Sequence, residues 1–160
     1  TYRLPKNVNQ SLANSQKVLN DSKGKMIWEK PSSWQKSSGS SIRSASFSIP
    51  YKNGLGDLSV IELGGDGGGL LMNVNRWRDQ LSLEDLTLDE IENQLKNYEG
   101  KLGNVEIIEI VNTEIDTAFI CSILNYSKGT IFVKLSLKAS GISEVKDDFI
   151  SFSSSITFKD

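Results

Sequence analysis

The chain has 160 residues, 24% charged and 38% hydrophobic, with a formal net charge of -2, one cysteine and no histidine. That length suits a single domain, able to bury roughly 70% of the surface its unfolded chain exposes. Without histidine there is no imidazole base, no Ser-His or Cys-His nucleophile pair and none of the commonest metal ligand. The lone Cys121 excludes an internal disulfide and a CxxC zinc pair, and the interspersed charges give no nucleic-acid signature. No catalytic residue, metal or cofactor is expected.

Residues 1–24, rich in Asn, Ser, Gln and Lys, read as a flexible or loosely docked N-terminal arm, and residues 25–160 as one domain. The chain opens on Thr1 and not Met, the start expected of a mature or trimmed form whose missing N-terminus held a targeting signal. "KMIWEKPSSW" predicts a short strand to Trp28, a turn at Pro31, then Trp34; the two indoles are expected to pack over the end of a core. Ala45, Phe47 and Ile49 alternate with serines as in a half-buried strand, which Pro50 ends, and "YKNGLGD" reads as a hairpin connection.

"LSVIEL" (58–63) is the next strand and runs into "GGDGGG". The period then changes: Leu70, Val74, Trp77 and Leu81 share one helical face. A second helix starts at a capping box, Thr87 with Glu90, with Leu86 and Ile91 at the staple positions. Ile91, Leu95 and Tyr98 carry its buried face, and Gly100 closes it. Strands follow at 105–111, 117–124 and 130–137, with "NYSKG" as the turn between the last two. Ile131, Val133, Leu135 and Leu137 face one way, and "TAFICSIL" is apolar on both faces, as in a strand covered on both sides. After Gly141 a last helix aligns Val145, Phe149 and Phe152, and "SSSITF" ends in a short strand. The order β-β-β-α-α-β-β-β-α predicts an α+β domain with a mainly antiparallel sheet of about five to six strands flanked by helices.

The glycine-rich corner fails as a phosphate loop. Gly64 and Gly69 have the Walker spacing, but Leu70 and Leu71 stand where Lys and Ser/Thr belong. A dinucleotide fingerprint needs glycine at Leu70, and a calcium-binding nonapeptide repeat needs aspartate at Gly69. The corner is therefore expected to turn a strand into a helix, with Asp66 near the helix N-terminus. On that helix Arg76 and Arg78 fall on opposite flanks of the apolar stripe, with Asn73 beside Arg76 and Asn75 beside Arg78. Either the arginine stems cover the core edge and pair with acids such as Asp79 or Glu62, or the helix offers an Asn/Arg surface to a partner or an anionic ligand. In the second reading Asn73, Asn75, Arg76 and Arg78 make the contacts, and Gly67 and Gly68 present backbone N–H groups. Cys121 is expected to be a buried, inert thiol. Glu106, Glu109, Glu114 and Asp116 offer carboxylates, but no pair stands out, and neither serine tract holds a nucleophile elbow.

The run of Trp28, Pro31 and Trp34, then "IRSASF", "GDLSVIELGGDGGG", "NVNRWRDQL", "TIFVKLSL" and a helix ending "SSSITF", resembles a family of small bacterial proteins, many of them predicted envelope lipoproteins. The resemblance spans about residues 25–159. It implies an extracytoplasmic domain, periplasmic or membrane-anchored, tethered through a lipidated segment upstream, with no transmembrane helix. More distantly the layout is similar to the Mog1/PsbP-like fold of α/β/α layers. That fold serves non-enzymatic partner-binding proteins, a photosystem extrinsic subunit and a nuclear import factor that binds a small GTPase. Together these imply an accessory domain acting through protein–protein contact. The alternative is a small-molecule-binding or carboxylate-based hydrolytic domain with a pocket between sheet and helix, served by carboxylates and Arg43.

Overall fold

The structure, a computed structural model, describes residues 24–159. The arm expected over residues 1–24 lies outside these, Gly24 excepted. Strands β1 (Lys25–Ile27), β2 (Gln35–Lys36), β3 (Ala45–Tyr51) and β4 (Gly54–Gly64) precede helices α1 (Leu70–Gln80) and α2 (Leu88–Gln94). Then come β5 (Lys96–Gly100), β6 (Gly103–Asn112), β7 (Thr117–Tyr126), β8 (Gly129–Leu137), a 3-10 turn (Ala139–Gly141), α3 (Ile142–Ser155) and β9 (Thr157–Lys159). Seven strands form one antiparallel sheet in the order β2-β3-β4-β8-β7-β6-β5, while β1 and β9 pair as a separate ribbon. The domain is α+β, as the sequence predicts, with seven strands in its main sheet in place of five or six.

The alternation of side chains builds a core on each face. Phe47, Leu58, Val60, Ile120, Val133 and Leu135 meet Val145, Phe149 and Phe152 of α3 on one side. Ile108, Ile110, Phe119, Cys121, Ile123 and Phe132 meet Val74, Trp77 and Leu81 of α1 and Ile91 of α2 on the other. β7 lies between the two helical layers, which is why it is apolar on both faces. Trp28 and Trp34 close the end of the α3 layer in a cluster with Phe47 and Phe152, the Trp34 and Phe152 ring centroids being 5.0 Å apart. Pro50 sits inside β3 and does not end it. β2 pairs only with Phe47 and Ser48, so at Pro50 that side of β3 is an open edge needing no N–H donor.

The predicted second helix is cut short. Its start holds: Glu90 N donates to Thr87 Oγ1 at 3.2 Å and Thr87 N to Glu90 Oε1 at 2.9 Å. Its end does not. The chain turns extended at Leu95, and Lys96–Gly100 pairs antiparallel with Gly103–Ile107. Tyr98 thus lies on a strand against the α3 layer. Gly100 is not a helix cap; a Cβ there would stand 3.1 Å from Ser154 O, so its bare backbone lets α3 approach the hairpin.

Candidate anion-binding cleft

α1 and α2 cover the sheet over β6, β7 and β8 and the end of β4 at Leu63, and stop short of β3 and the first half of β4. A cleft of about 400 Å³ remains between α1, the exposed sheet face and the loop before β3. The register of β4 and β8 places Asp57 opposite Ser136, Ser59 opposite Lys134 and Ile61 opposite Phe132 on that face. Phe119 of β7 and Trp77 of α1 complete an aromatic floor, Trp77 and Phe132 meeting edge to face at 5.7 Å. Arg43 arrives from the loop, tied down by Ser44 N donating to Val60 O at 2.7 Å and Arg43 N to Ser40 O at 3.1 Å.

Three cations, Arg43, Arg76 and Lys134, therefore line the cleft with a single carboxylate, Asp57. Arg43 donates from both terminal nitrogens to Asp57, at 3.1 and 3.0 Å, and from Nη1 to Ser46 Oγ at 3.2 Å. These bonds use three of the five guanidinium donors and fix its plane. Arg76 lies over Trp77, its guanidinium carbon 5.8 Å from the ring centroid. Lys134, half-buried, stands 4.1 Å over the Phe119 ring and donates to Gln80 Oε1 at 2.7 Å. Burial holds its ammonium below the ordinary lysine value; the opposite-signed influence of Cys121 and Asp57 works against this, and Arg76 and Arg43 add to it. Cys121, opposite Lys134 in the ladder, is fully buried, and burial pushes its thiol up to about 12.

The two flanks of α1 have separate uses. Arg76 faces the cleft, whereas Arg78 donates from Nε to Glu84 O at 2.6 Å on the other side. Asn75 makes a peptide-like pair with Leu86, accepting from its N–H at 2.8 Å and donating to its carbonyl at 3.0 Å. Asn73 is buried, and its amide donates to Gly67 O at 3.0 Å and Gly69 O at 2.7 Å. Gly67 N donates to Gly64 O at 3.4 Å, Gly68 N to Asp66 Oδ1 at 3.0 Å and Gly69 N to Asp66 O at 3.2 Å. Gly65, Gly67, Gly68 and Gly69 all have positive φ, the backbone demand that fills this corner with glycine. Of the six positions singled out in the sequence, only Arg76 reaches the cleft.

Glu62 lies away from α1: it is fully buried on the α3 face, accepting from the Tyr126 hydroxyl at 2.5 Å, and burial first, then the bond to Glu62, push that phenol up. The other carboxylates are dispersed. Glu109 pairs with Lys146 at 2.7 Å, Asp116 accepts from Ser140 N at 3.1 Å, and Glu106 faces Glu92 of α2. No group of three or more metal-ligating side chains occurs among the described residues, and no helix there is long and apolar enough to cross a membrane. Asp57, Phe119, Phe132 and Lys134 were not legible as site residues. The one signal is Lys134, a charge interrupting "TIFVKLSL" on the face it shares with Phe132.

No family model matches the chain, and no curated protein matches it. Among solved structures, a protein of Bacteroides thetaiotaomicron VPI-5482 is similar over 86% of this chain at 9% identity and a TM-score of 0.47. The chain spans about half, 49%, of that protein's length. LpqN, involved in cell envelope biogenesis of Mycobacterium tuberculosis, is similar over 86% of both chains at 11% identity and a TM-score of 0.44. At these levels neither likeness assigns a ligand or a reaction.

Proposed function

We propose that the chain is a non-catalytic binding domain whose cleft beside α1 takes an anionic group with an apolar body, carried by a small molecule or by a protein partner. The convergence of Arg43, Arg76 and Lys134 over the Trp77, Phe119 and Phe132 rings carries the reading. A carboxylate there meets prepositioned guanidinium donors while the rings bury its apolar part. The domain's setting in the bacterial envelope, its lipid tether and its relation to the Mog1/PsbP-like fold rest on the sequence resemblance. Asn73, Asn75, Arg78, Gly67 and Gly68 enter the proposal as the frame that sets α1 and Arg76.

The test is calorimetric titration with aromatic and short aliphatic carboxylates, each beside its matched alcohol. A charge-assisted hydrogen bond contributes about 1.5–3 kcal/mol, so the acids should bind about tenfold or more tighter than the alcohols. Arg43→Ala and Arg76→Ala should each erode that difference. Equal affinity for acid and alcohol, or no binding of either, would overturn the proposal.

A further inference from the structure

A lysine set into a cleft is ordinarily neutralised by a carboxylate, and Lys134 is not. Its one hydrogen-bond acceptor is the neutral Gln80 Oε1 at 2.7 Å, its other contact is the Phe119 ring face at 4.1 Å, and it makes no ion pair among the described residues. The charged and titratable groups acting on it are Arg76 of α1, Arg43 of the loop, Asp57 of β4 and Cys121 of β7. Asp57 is already committed to Arg43 through a bidentate pair. Burial keeps the amine below the ordinary lysine range, which raises the fraction carrying a free lone pair near neutral pH.

We infer that Lys134 is a carbonyl-capturing amine, condensing with the aldehyde or keto carbon of a carboxylate whose anionic end lies against Arg43 and Arg76. The inference rests on the anion-binding reading of the cleft. The Nζ lone pair attacks the carbonyl carbon and the C=O π bond opens to a carbinolamine. One of the two amine protons passes to the former carbonyl oxygen to give the neutral carbinolamine. The hydroxyl then takes a second proton from solvent and leaves as water as the nitrogen lone pair forms the C=N bond, and loss of the remaining N–H proton to solvent gives the neutral imine. No electron is gained or lost. Whenever the imine nitrogen carries a proton, the Phe119 face that now holds an ammonium stabilises that cation as well. Water reverses the condensation, so the site holds its ligand covalently yet releasably.

The experiment exposes the folded protein to 4-formylbenzoate with cyanoborohydride at pH 7, followed by intact mass and peptide mapping, with calorimetric binding of benzoate in parallel. The expected result is an adduct on Lys134 formed about tenfold faster than on any other lysine. It should be suppressed by excess benzoate, slowed in Arg76→Ala, and absent from that peptide in Lys134→Met. Its rate should rise with pH through a midpoint below the 10.5 of an ordinary lysine. Adducts scattered over the lysines without preference for Lys134 would overturn the inference. If benzoate still binds in that case, the anion site stands without its covalent step. Selective labelling of Lys134 by benzaldehyde and 4-formylbenzoate at equal rates, with no benzoate binding, would keep the nucleophile and remove the anion site. Should Lys134→Met fail to fold, the wild-type peptide map decides alone.

Discussion

Asn75 separates a residue of the frame from a residue of the binding surface. Its side chain clasps α1 to Leu86, the staple residue before the Thr87 cap, through two hydrogen bonds of 2.8 and 3.0 Å. Replacing it with Ala removes both. At about 1 kcal/mol each the loss is about 2 kcal/mol, and a half-buried Leu86 N–H left without its acceptor adds up to about 1 more. For a domain of this size 1 kcal/mol moves the melting point by roughly 2–4 °C, so Asn75→Ala should melt roughly 4–12 °C lower. Urea and thermal unfolding followed by circular dichroism measure the change, and benzoate titration below the transition measures the cleft. Binding should persist, because Asn75 lies on the flank away from Arg76. A variant that loses less than about 0.5 kcal/mol but no longer binds would refute this assignment and return Asn75 to the contact surface.

The glycine corner offers an internal comparison. At Gly65 a Cβ meets nothing within 4 Å, so Gly65→Ala carries only the left-handed backbone strain of about 1–2 kcal/mol. At Gly67 the same strain is joined by an overlap of 2.8 Å with Phe132 Cε2, so Gly67→Ala should lose about 2–4 kcal/mol in denaturant titrations and disturb the cleft floor as well. Glu106 gives a pH signature: burial first, and then Glu92, raise its pKa above the ordinary 4.5. The folded chain therefore holds that proton more tightly than the unfolded chain, a contribution intact below about pH 4.5 and lost as pH rises through the raised value. Glu106→Gln should be more stable at pH 7 by on the order of 0.5 kcal/mol at most, solvent screening included, and no more stable below pH 4.5. Asp57→Asn removes the only carboxylate lining the cleft among the described residues; calorimetry should show benzoate binding several-fold tighter, with less than about 1 kcal/mol lost from a half-exposed ion pair.

Local chemistry made most elements legible. The Thr87–Glu90 box, the change of period at Leu70 and the alternation through Ile131–Leu137 each state a structure within a few residues. β5 escaped because Ile91, Leu95 and Tyr98 keep helical spacing, while the ladder with Gly103–Ile107 that overrides it is a tertiary gain. β2 has two residues and no pattern to read. Asn73 and Asn75 show a harder limit. A polar residue on a helix flank looks the same in sequence whether it meets a partner or the chain's own carbonyls, and the groups they bond, at Gly67, Gly69 and Leu86, are backbone atoms that carry no side-chain signature.

The cleft follows from coverage. Seven strands at about 4.8 Å spacing span roughly 29 Å, and a helix layer covers about 10 Å per helix. On the α3 face the Trp28–Trp34 segment and the β1–β9 ribbon extend the cover, and the sheet there is apolar across β3, β4 and β8 except at Glu62. On the opposite face α1 and α2, with eleven and seven residues, are the only helices among the described residues. Outside their reach the same strands turn to Ser46, Asp57, Ser59, Lys134 and Ser136. An uncovered sheet face needs polar residues, but it does not need three cations to one acid, nor a lysine bonded to a neutral amide above an aromatic ring. Solvation alone would be met as well by serine or by Lys–Glu alternation, with no desolvated amine. The excess of positive charge at the boundary between covered and bare sheet is therefore what distinguishes this cleft from an ordinary edge, and Lys134, drawn from a strand whose other face is core, stands at that boundary.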